Sequence, residues 1–455
     1  MKIKLLGLVL ILLFCSFRAE AATISNLRLG DTETNVRLVF ELNEKVDYSI
    51  KWQGDDVVLS LPHSNLADFT FPATKGNWLK KVDFQQNGDN LDFIIDLPLK
   101  TDYKAFYLKE PTRLVIDIYK QYELKEEKDI QDGIKLHTLK KYSNTGNLPL
   151  FVLDIDKAKF KVKEVLAGGN ISSGRRPLTQ IIRDENALAG VNAGYFALDG
   201  SLIGVSRIDC VTAGTTHFTR SGVGFYPNGE IKMGLVSYSG LVNLNNIECE
   251  VSGVNIARPA DSLILYNRLY GTTTGTNAYG TEYTIIEDKV TNITKGNSTI
   301  PQNGVVVSVH GKAEAVFKDI KVGDTAIIGE YLTGSIADAP NITGCSPRLL
   351  TDGKITVTAD EEELEANVKN GRAPRTAIGV KKDGNILLMV VDGRRTASQG
   401  ATLTELAKLM QDYGAYNAMN LDGGGSSEMV VNNKIVNVPS ENVERKVASA
   451  IIVTR

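Results

Sequence analysis

Between Thr23 and about Tyr119, apolar and polar residues alternate in short runs such as Val36-Arg37-Leu38-Val39-Phe40-Glu41-Leu42, Leu91-Asp92-Phe93-Ile94-Ile95-Asp96-Leu97 and Arg113-Leu114-Val115-Ile116-Asp117-Ile118. Alternation with period two marks half-buried strands. Gly54-Asp55 and Asn87-Gly88-Asp89 punctuate them as turns. The pattern predicts an all-β sandwich over residues 23–120. It breaks at residues 121–132, where Glu123, Lys125, Glu126, Glu127, Lys128 and Asp129 leave few apolar positions, and this stretch reads as a charged linker. From Gly133 to Arg455 the pattern changes to unbroken apolar runs, Ala187 to Val191, Ile386 to Val391 and Ala418 to Leu421, interspersed with helical signals. Leu178, Ile181 and Ile182 share one face of a short helix. Leu403, Leu406, Ala407 and Met410 share a face of a longer one, which a Thr402/Glu405 capping box starts and Gly414 ends. Buried strands alternating with helices predict a larger α/β (α+β) domain with a mixed sheet over residues 133–455. Residues 235–344 have no helical period and read as a β-rich insertion that shapes a cleft.

Lys2 and Lys4 precede an apolar run from Leu5 to Phe17, and Ala19-Glu20-Ala21 supplies a small-x-small cleavage pattern, so residues 1–21 read as a signal peptide. The run is short for a membrane span, and no later segment reads as transmembrane. The expectation is an exported protein with no integral membrane segment after cleavage. A chain of 455 residues with net charge −3 and no long basic run argues against nucleic acid as a partner. Cys15 leaves with the signal. Cys210, Cys249 and Cys345 then allow one disulfide and one free thiol, or no bond at all. The four histidines, His63, His137, His217 and His310, lie outside the Gly-rich motifs, which speaks against a histidine zinc site or a Ser-His-Asp triad. Chemistry falls to carboxylates, amides and arginines.

Those groups collect at strand ends. Asn420-Leu421-Asp422-Gly423-Gly424-Gly425-Ser426-Ser427 puts a carboxylate after an apolar run and follows it with three glycines and two hydroxyls. Bare backbone in such a turn approaches a ligand closely, and its N–H groups form an anion-binding concavity. A second buried strand ends in Asp392-Gly393-Arg394, and a third delivers Asn192-Ala193-Gly194-Tyr195-Phe196. A single strand-end Asp is more often a turn former, but three such positions point to a site. Arg375, in Pro374-Arg375-Thr376-Ala377-Ile378-Gly379, and Arg394 offer guanidinium forks suited to phosphate oxygens. Arg348 and Arg445 stand in no such motif and read as surface ion pairs. Oxygen ligands would suit a hard cation such as Ca²⁺, although no spacing forms a recognised loop, and no cofactor is required.

Two resemblances add to this reading. Pro111-Thr112-Arg113-Leu114-Val115-Ile116-Asp117 and the alternating strand before it resemble the AMIN domain, which implies a partner in peptidoglycan or another cell-wall glycopolymer. The four motifs around Asn192, Arg375, Asp392 and Asp422 occur in the order of the phosphodiester glycosidase family, and the resemblance covers about Ala187 to Arg455. Ala193 and Cys345 depart slightly from the family pattern. The resemblance implies hydrolysis of a sugar-1-phosphodiester, with N-acetylglucosamine as one sugar, in an envelope glycopolymer. On that footing Asp422 and Asp392 are the expected catalytic carboxylates. Arg375, Arg394, the Gly424 and Gly425 amides, and Ser426 and Ser427 would hold the phosphate, and Asn192 and Asn420 the sugar hydroxyls. Two other readings fit the same residues: a phosphodiesterase cutting the P–O bond, and a non-catalytic wall-binding protein.

Overall fold

The computed structural model describes residues 21–32, 34–54, 56–74, 78–142, 147–215, 219–395 and 398–455. The expected signal peptide lies outside the described residues except for Ala21, and so does His217. The chain forms two units, one ending at Gln121 and the other running from Tyr122 to Arg455.

In the first unit a five-stranded and a four-stranded sheet share one core. The alternation seen in the sequence turns Leu38, Phe40, Leu59, Leu61, Phe93, Ile95 and Ile116 inward, where each is wholly buried.

The second unit corrects the α/β expectation. Strands account for 52% of the described residues and helices for 9%, and the C-terminal unit is itself built of several sheets. Seven strands and one helix of this unit position the site: β1 (Leu148–Ile155), β2 (Ala189–Asn192), β3 (Arg375–Lys381), β4 (Ile386–Val391), α1 (Leu403–Asp412), β5 (Ala415–Asn420), β6 (Met429–Val431) and β7 (Ser449–Thr454). An eight-stranded sheet contains β1, β4, β3 and β5 as neighbours in that order. A five-stranded sheet contains β7, β2 and β6. Helix α1 does cross from β4 to β5, as the sequence suggests. However, β3 lies between those two strands and runs antiparallel to both. A helix between two buried strands therefore does not imply a parallel pair, and the β3–β4 hairpin makes the sheet antiparallel here.

The residues of β4 show why its apolar run is unbroken. Leu388 and Val390 face a core shared with Val191 of β2, Met429 of β6 and Ile451 of β7, while Leu387 and Met389 face Leu403, Leu406 and Met410 of α1. A strand covered on both faces needs no polar alternation. The capping box is present: Thr402 Oγ1 accepts from Glu405 N at 3.2 Å, and Glu405 Oε2 accepts from Thr402 N at 2.9 Å.

The expected linker is also corrected. Tyr122–Gln131 is a strand, paired antiparallel with Ile134–Tyr142 at the edge of the eight-stranded sheet. Charged side chains on such an edge deter pairing with other chains, so a polar run there need not be a linker. The β-rich stretch after residue 235 has a core of its own around Val242, Leu265, Val307 and Phe317. No helix among the described residues is long and apolar enough to cross a membrane.

Candidate active site

Antiparallel pairing brings the start of β3 to the same sheet edge as the ends of β4 and β5: Arg375 pairs with Val391, and Ala377 with Asn420. Asn192, at the end of β2, ties the five-stranded sheet to this edge. Its Nδ2 donates to the Asp422 carbonyl at 2.6 Å, and its Oδ1 accepts from Thr376 Oγ1 at 2.7 Å and from Glu428 N at 3.2 Å. The Asp422 amide donates to the Ala193 carbonyl at 3.0 Å. With only 1% of its surface exposed, Asn192 positions Asp422 and does not face a substrate.

The Asp422 carboxylate accepts from Gly423 N at 2.9 Å and from the Ser426 hydroxyl. Burial pushes this carboxyl up to about 6, opposed by those bonds and by the charges of Arg445 and Arg394. It lines a cavity of about 240 Å³ together with Tyr195, Asn367, Arg375, Arg394, Asn420, Arg445 and the backbone of Gly423 to Gly425. Asp422 is the sole carboxylate among the described residues that line the cavity, and three guanidinium groups share it.

The glycines are required by what lies against them. Gly424 has φ +61°, and a Cβ there would come within 3.0 Å of Arg394 Nη1. A Cβ on Gly425 would sit 2.2 Å from Arg445 Cζ. Two arginines thus rest on successive residues of a bare ridge. The expected amide cradle is only partly present: Gly424 N donates to the Pro374 carbonyl at 2.8 Å and is committed, while the Gly425 N–H has no hydrogen-bond partner among the described residues. Ser426 serves Asp422, and Ser427 Oγ is buried without a partner and away from the cavity.

Arg375 is 4% exposed, and carbonyl oxygens hold it: Nε donates to Ala401 O at 3.0 Å, and Nη2 to Val368 O at 3.0 Å and to Gly371 O at 2.8 Å. Burial lowers its pKa, and the neighbouring Arg394 adds to the effect. It has no carboxylate partner among the described residues, so its charge is available to an anion in the cavity.

Asp392 is elsewhere. It is 3% exposed, accepts from Asn437 Nδ2 at 2.9 Å and from Val438 N at 3.1 Å, and does not line the cavity. Its carboxylate clamps the turn after Lys434–Ile435, the ordinary role of a strand-end Asp, so it does not pair with Asp422.

Asn420 does line the cavity. Its Nδ2 donates to the carbonyls of Ser346 and Leu421, both at 2.7 Å, and to Tyr195 Oη at 3.1 Å, while its Oδ1 has no partner. Among the lining residues that sequence reasoning missed are Tyr195, Asn367 and Arg445. Tyr195 belongs to the Asn192-to-Phe196 segment; its hydroxyl donates to Ser346 O at 2.8 Å, and burial together with the Asp422 charge raises its pKa well above the usual tyrosine value. Arg445 has no flanking motif and so reads from the sequence as a surface ion pair. The signal that could have found it was the triple glycine, which implies something bulky lying against it.

Ca²⁺ takes six to eight oxygen ligands. Asp422 and Asn420 Oδ1 beside three guanidinium groups do not fit that requirement. Among the described residues no group of three or more His, Cys, Asp or Glu side chains is arranged around a metal position. Cys210, Cys249 and Cys345 are all free thiols. A larger hollow of about 420 Å³ lies beside Tyr238 and Tyr331, but Glu250 is the one charged residue among the described residues that line it.

Residues 279–454 match the phosphodiester glycosidase family model. An uncharacterized SPbeta prophage-derived protein of Bacillus subtilis is 36% identical over 106 residues, covering 23% of this chain and 16% of that protein. The N-acetylglucosamine-1-phosphodiester alpha-N-acetylglucosaminidase of Homo sapiens is 39% identical over 70 residues, covering 15% of this chain and 13% of that one. The chain thus spans less than a fifth of the length of the curated relatives it matches. A hypothetical protein from Synechocystis shares the fold, with a TM-score of 0.65, 22% identity and coverage of 95% of this chain and 80% of that one. The family match contains Arg375, Arg394, Asp422, the glycine ridge and Arg445, so the candidate site lies within the segment that is similar to the phosphodiester glycosidase family.

Proposed function

We propose that the C-terminal unit hydrolyses a sugar-1-phosphodiester at the anomeric carbon, releasing the free sugar and a phosphate monoester. The observation that carries this reading is a lone carboxylate, Asp422, sharing a cavity with three guanidinium groups. Ordinary glycosidases use two carboxylates, one of which protonates the leaving oxygen. A phosphate monoester has a second pKa near 6, so it departs as an anion without such an acid. Guanidinium groups stabilise the charge that builds on it. Asp422 faces the anomeric carbon, either taking a proton from the attacking water or bonding to the carbon before water displaces it. In both routes the C–O bond to phosphate breaks, water supplies the new oxygen, and its proton ends on solvent.

N-acetylglucosamine is the sugar of choice, because relatives named for its 1-phosphodiester match this chain. The N-terminal β-sandwich is proposed to bind a wall polymer, with an envelope glycopolymer as the substrate of the exported protein. Hydrolysis of N-acetylglucosamine 1-phosphodiesters in ¹⁸O-labelled water tests the bond cleaved. Label in the sugar is expected; label in phosphate would identify a phosphodiesterase. Wall binding with no turnover, unaltered in Asp422→Asn, would leave only a binding protein.

A further inference from the structure

Arg445 pairs with Glu441, four residues earlier, and both side chains are substantially exposed (39% and 48%). An ion pair of that kind holds weakly. The same guanidinium also lies flat on Gly425, where even a Cβ would come within 2.3 Å of Nη2 and 2.6 Å of Nε, and it borders the cavity beside Arg394. The backbone on either side is fixed. Glu444 accepts from Thr179 N at 2.6 Å and from Thr179 Oγ1 at 2.8 Å, and Lys446–Val447 pairs with Arg176–Pro177. Only the side chain is free to change partner. Glu441 does not line the cavity.

The geometry points to Arg445 as a second clamp on the substrate's phosphate, held in reserve by Glu441, which the phosphate displaces. This rests on the hydrolase reading for its substrate, but the anion chemistry stands on the arginines. A phosphodiester between Arg394 and Arg445 gains two forks at once and is shielded by the ridge, whereas Glu441 offers one carboxylate in open solvent. Glu441 therefore keeps the empty clamp in place and yields to the ligand. Its charge competes with the ligand's and tunes affinity downward, which favours release of the phosphate product.

The test is titration calorimetry of the full chain with N-acetylglucosamine 1-phosphate and with inorganic phosphate. Arg445→Gln is expected to weaken both dissociation constants roughly 10- to 150-fold. Glu441→Gln is expected to tighten them about 1.5- to 5-fold. Removing any negative charge nearby would help an anion, so the double variant decides. With Arg445 gone, Glu441→Gln should change nothing. Tightening that persists in the double variant, or an unchanged constant in either single variant, overturns the clamp. Should Arg445→Gln fail to fold, Arg445→Lys keeps the charge but loses the fork; it should weaken binding by a smaller factor, and unchanged binding counts against the clamp. Behaviour as stated, without release of sugar from any 1-phosphodiester, would remove the hydrolase reading and leave the clamp. Hydrolysis with constants indifferent to Arg445 would do the reverse.

Discussion

Asp392 and Asp422 occupy matching places. Each follows a buried strand of the same sheet, each is followed by glycine, and burial pushes each carboxyl up to about 6. They differ in what they face. Asp392 gives its oxygens to Asn437 and Val438, whereas Asp422 keeps one side toward a cavity rimmed by arginine. A raised carboxyl pKa records burial, and burial serves a clamp as well as a catalyst. Only the neighbours distinguish them.

Substitution should separate the two most sharply. Asp422→Asn is expected to lower kcat by on the order of 10²–10⁴-fold while leaving thermal stability nearly unchanged. Asp392→Ala removes the acceptor of the buried Asn437 amide and of the part-buried Val438 N–H, and should cost about 1–3 kcal/mol of folding stability with kcat per folded molecule retained. Steady-state kinetics and thermal melts on both variants check the pair. Loss of kcat in folded Asp392→Ala would erase the distinction.

The pH dependence sharpens it further. If only the charged form of Asp422 acts, kcat/KM should rise about tenfold per pH unit below about 6 and then level off, with no falling limb from a second carboxylic acid. Asp392→Asn should leave that midpoint in place. For stability the sign is the opposite. Both carboxyls are raised from 3.8 to about 6, so the folded state holds their protons longer than the unfolded chain does. Their contribution is fully present below pH 3.8 and is lost as pH rises through about 6. Denaturant titrations between those values should show stability falling, with a shallower fall in either Asn variant.

The glycines that follow the two aspartates extend the comparison. A Cβ on Gly393 would meet backbone, Pro374 N at 2.6 Å and Gly400 Cα at 2.8 Å. Gly393→Ala should therefore destabilise the fold by about 1–3 kcal/mol. A Cβ on Gly425 would meet the mobile end of Arg445. Gly425→Ala should fold normally and raise KM roughly tenfold through the displaced guanidinium. Melting temperature moves in the first variant and KM in the second, and an exchange of those effects would contradict the assignment.

Much of this was legible in the sequence, with limits that have physical causes. The alternation around Leu38 and Phe93 marked the N-terminal strands, because one face of each is solvated. The apolar run of β4 marked a buried strand but not its neighbours' direction, since strand order depends on contacts distant in sequence. That is why α1, correctly placed, suggested an α/β sheet that β3 interrupts. At the site, Asp422 and Arg375 stood out by motif and do share a cavity. Asp392 stood out equally and does not, because Asn437, which claims it, lies 45 residues away in the chain. Arg445 had no flanking motif, and what marks it is the absence of side chains at Gly424 and Gly425.

The finest comparison is between two neighbouring hydroxyls. Ser426 bonds the Asp422 carboxylate and holds its pKa down, while Ser427 Oγ is buried with no partner. Ser426→Ala should let the Asp422 carboxyl rise further, moving the ascending limb of the pH profile up by less than about one unit. Ser427→Ala removes a polar atom that has nothing to bond, so stability should hold or improve by up to about 1 kcal/mol, with the pH profile unmoved. If Ser427→Ala instead shifted the limb or raised KM, its hydroxyl would have to reach the substrate when the site is occupied. The cavity would then extend past the glycine ridge, toward the strand that carries Met429.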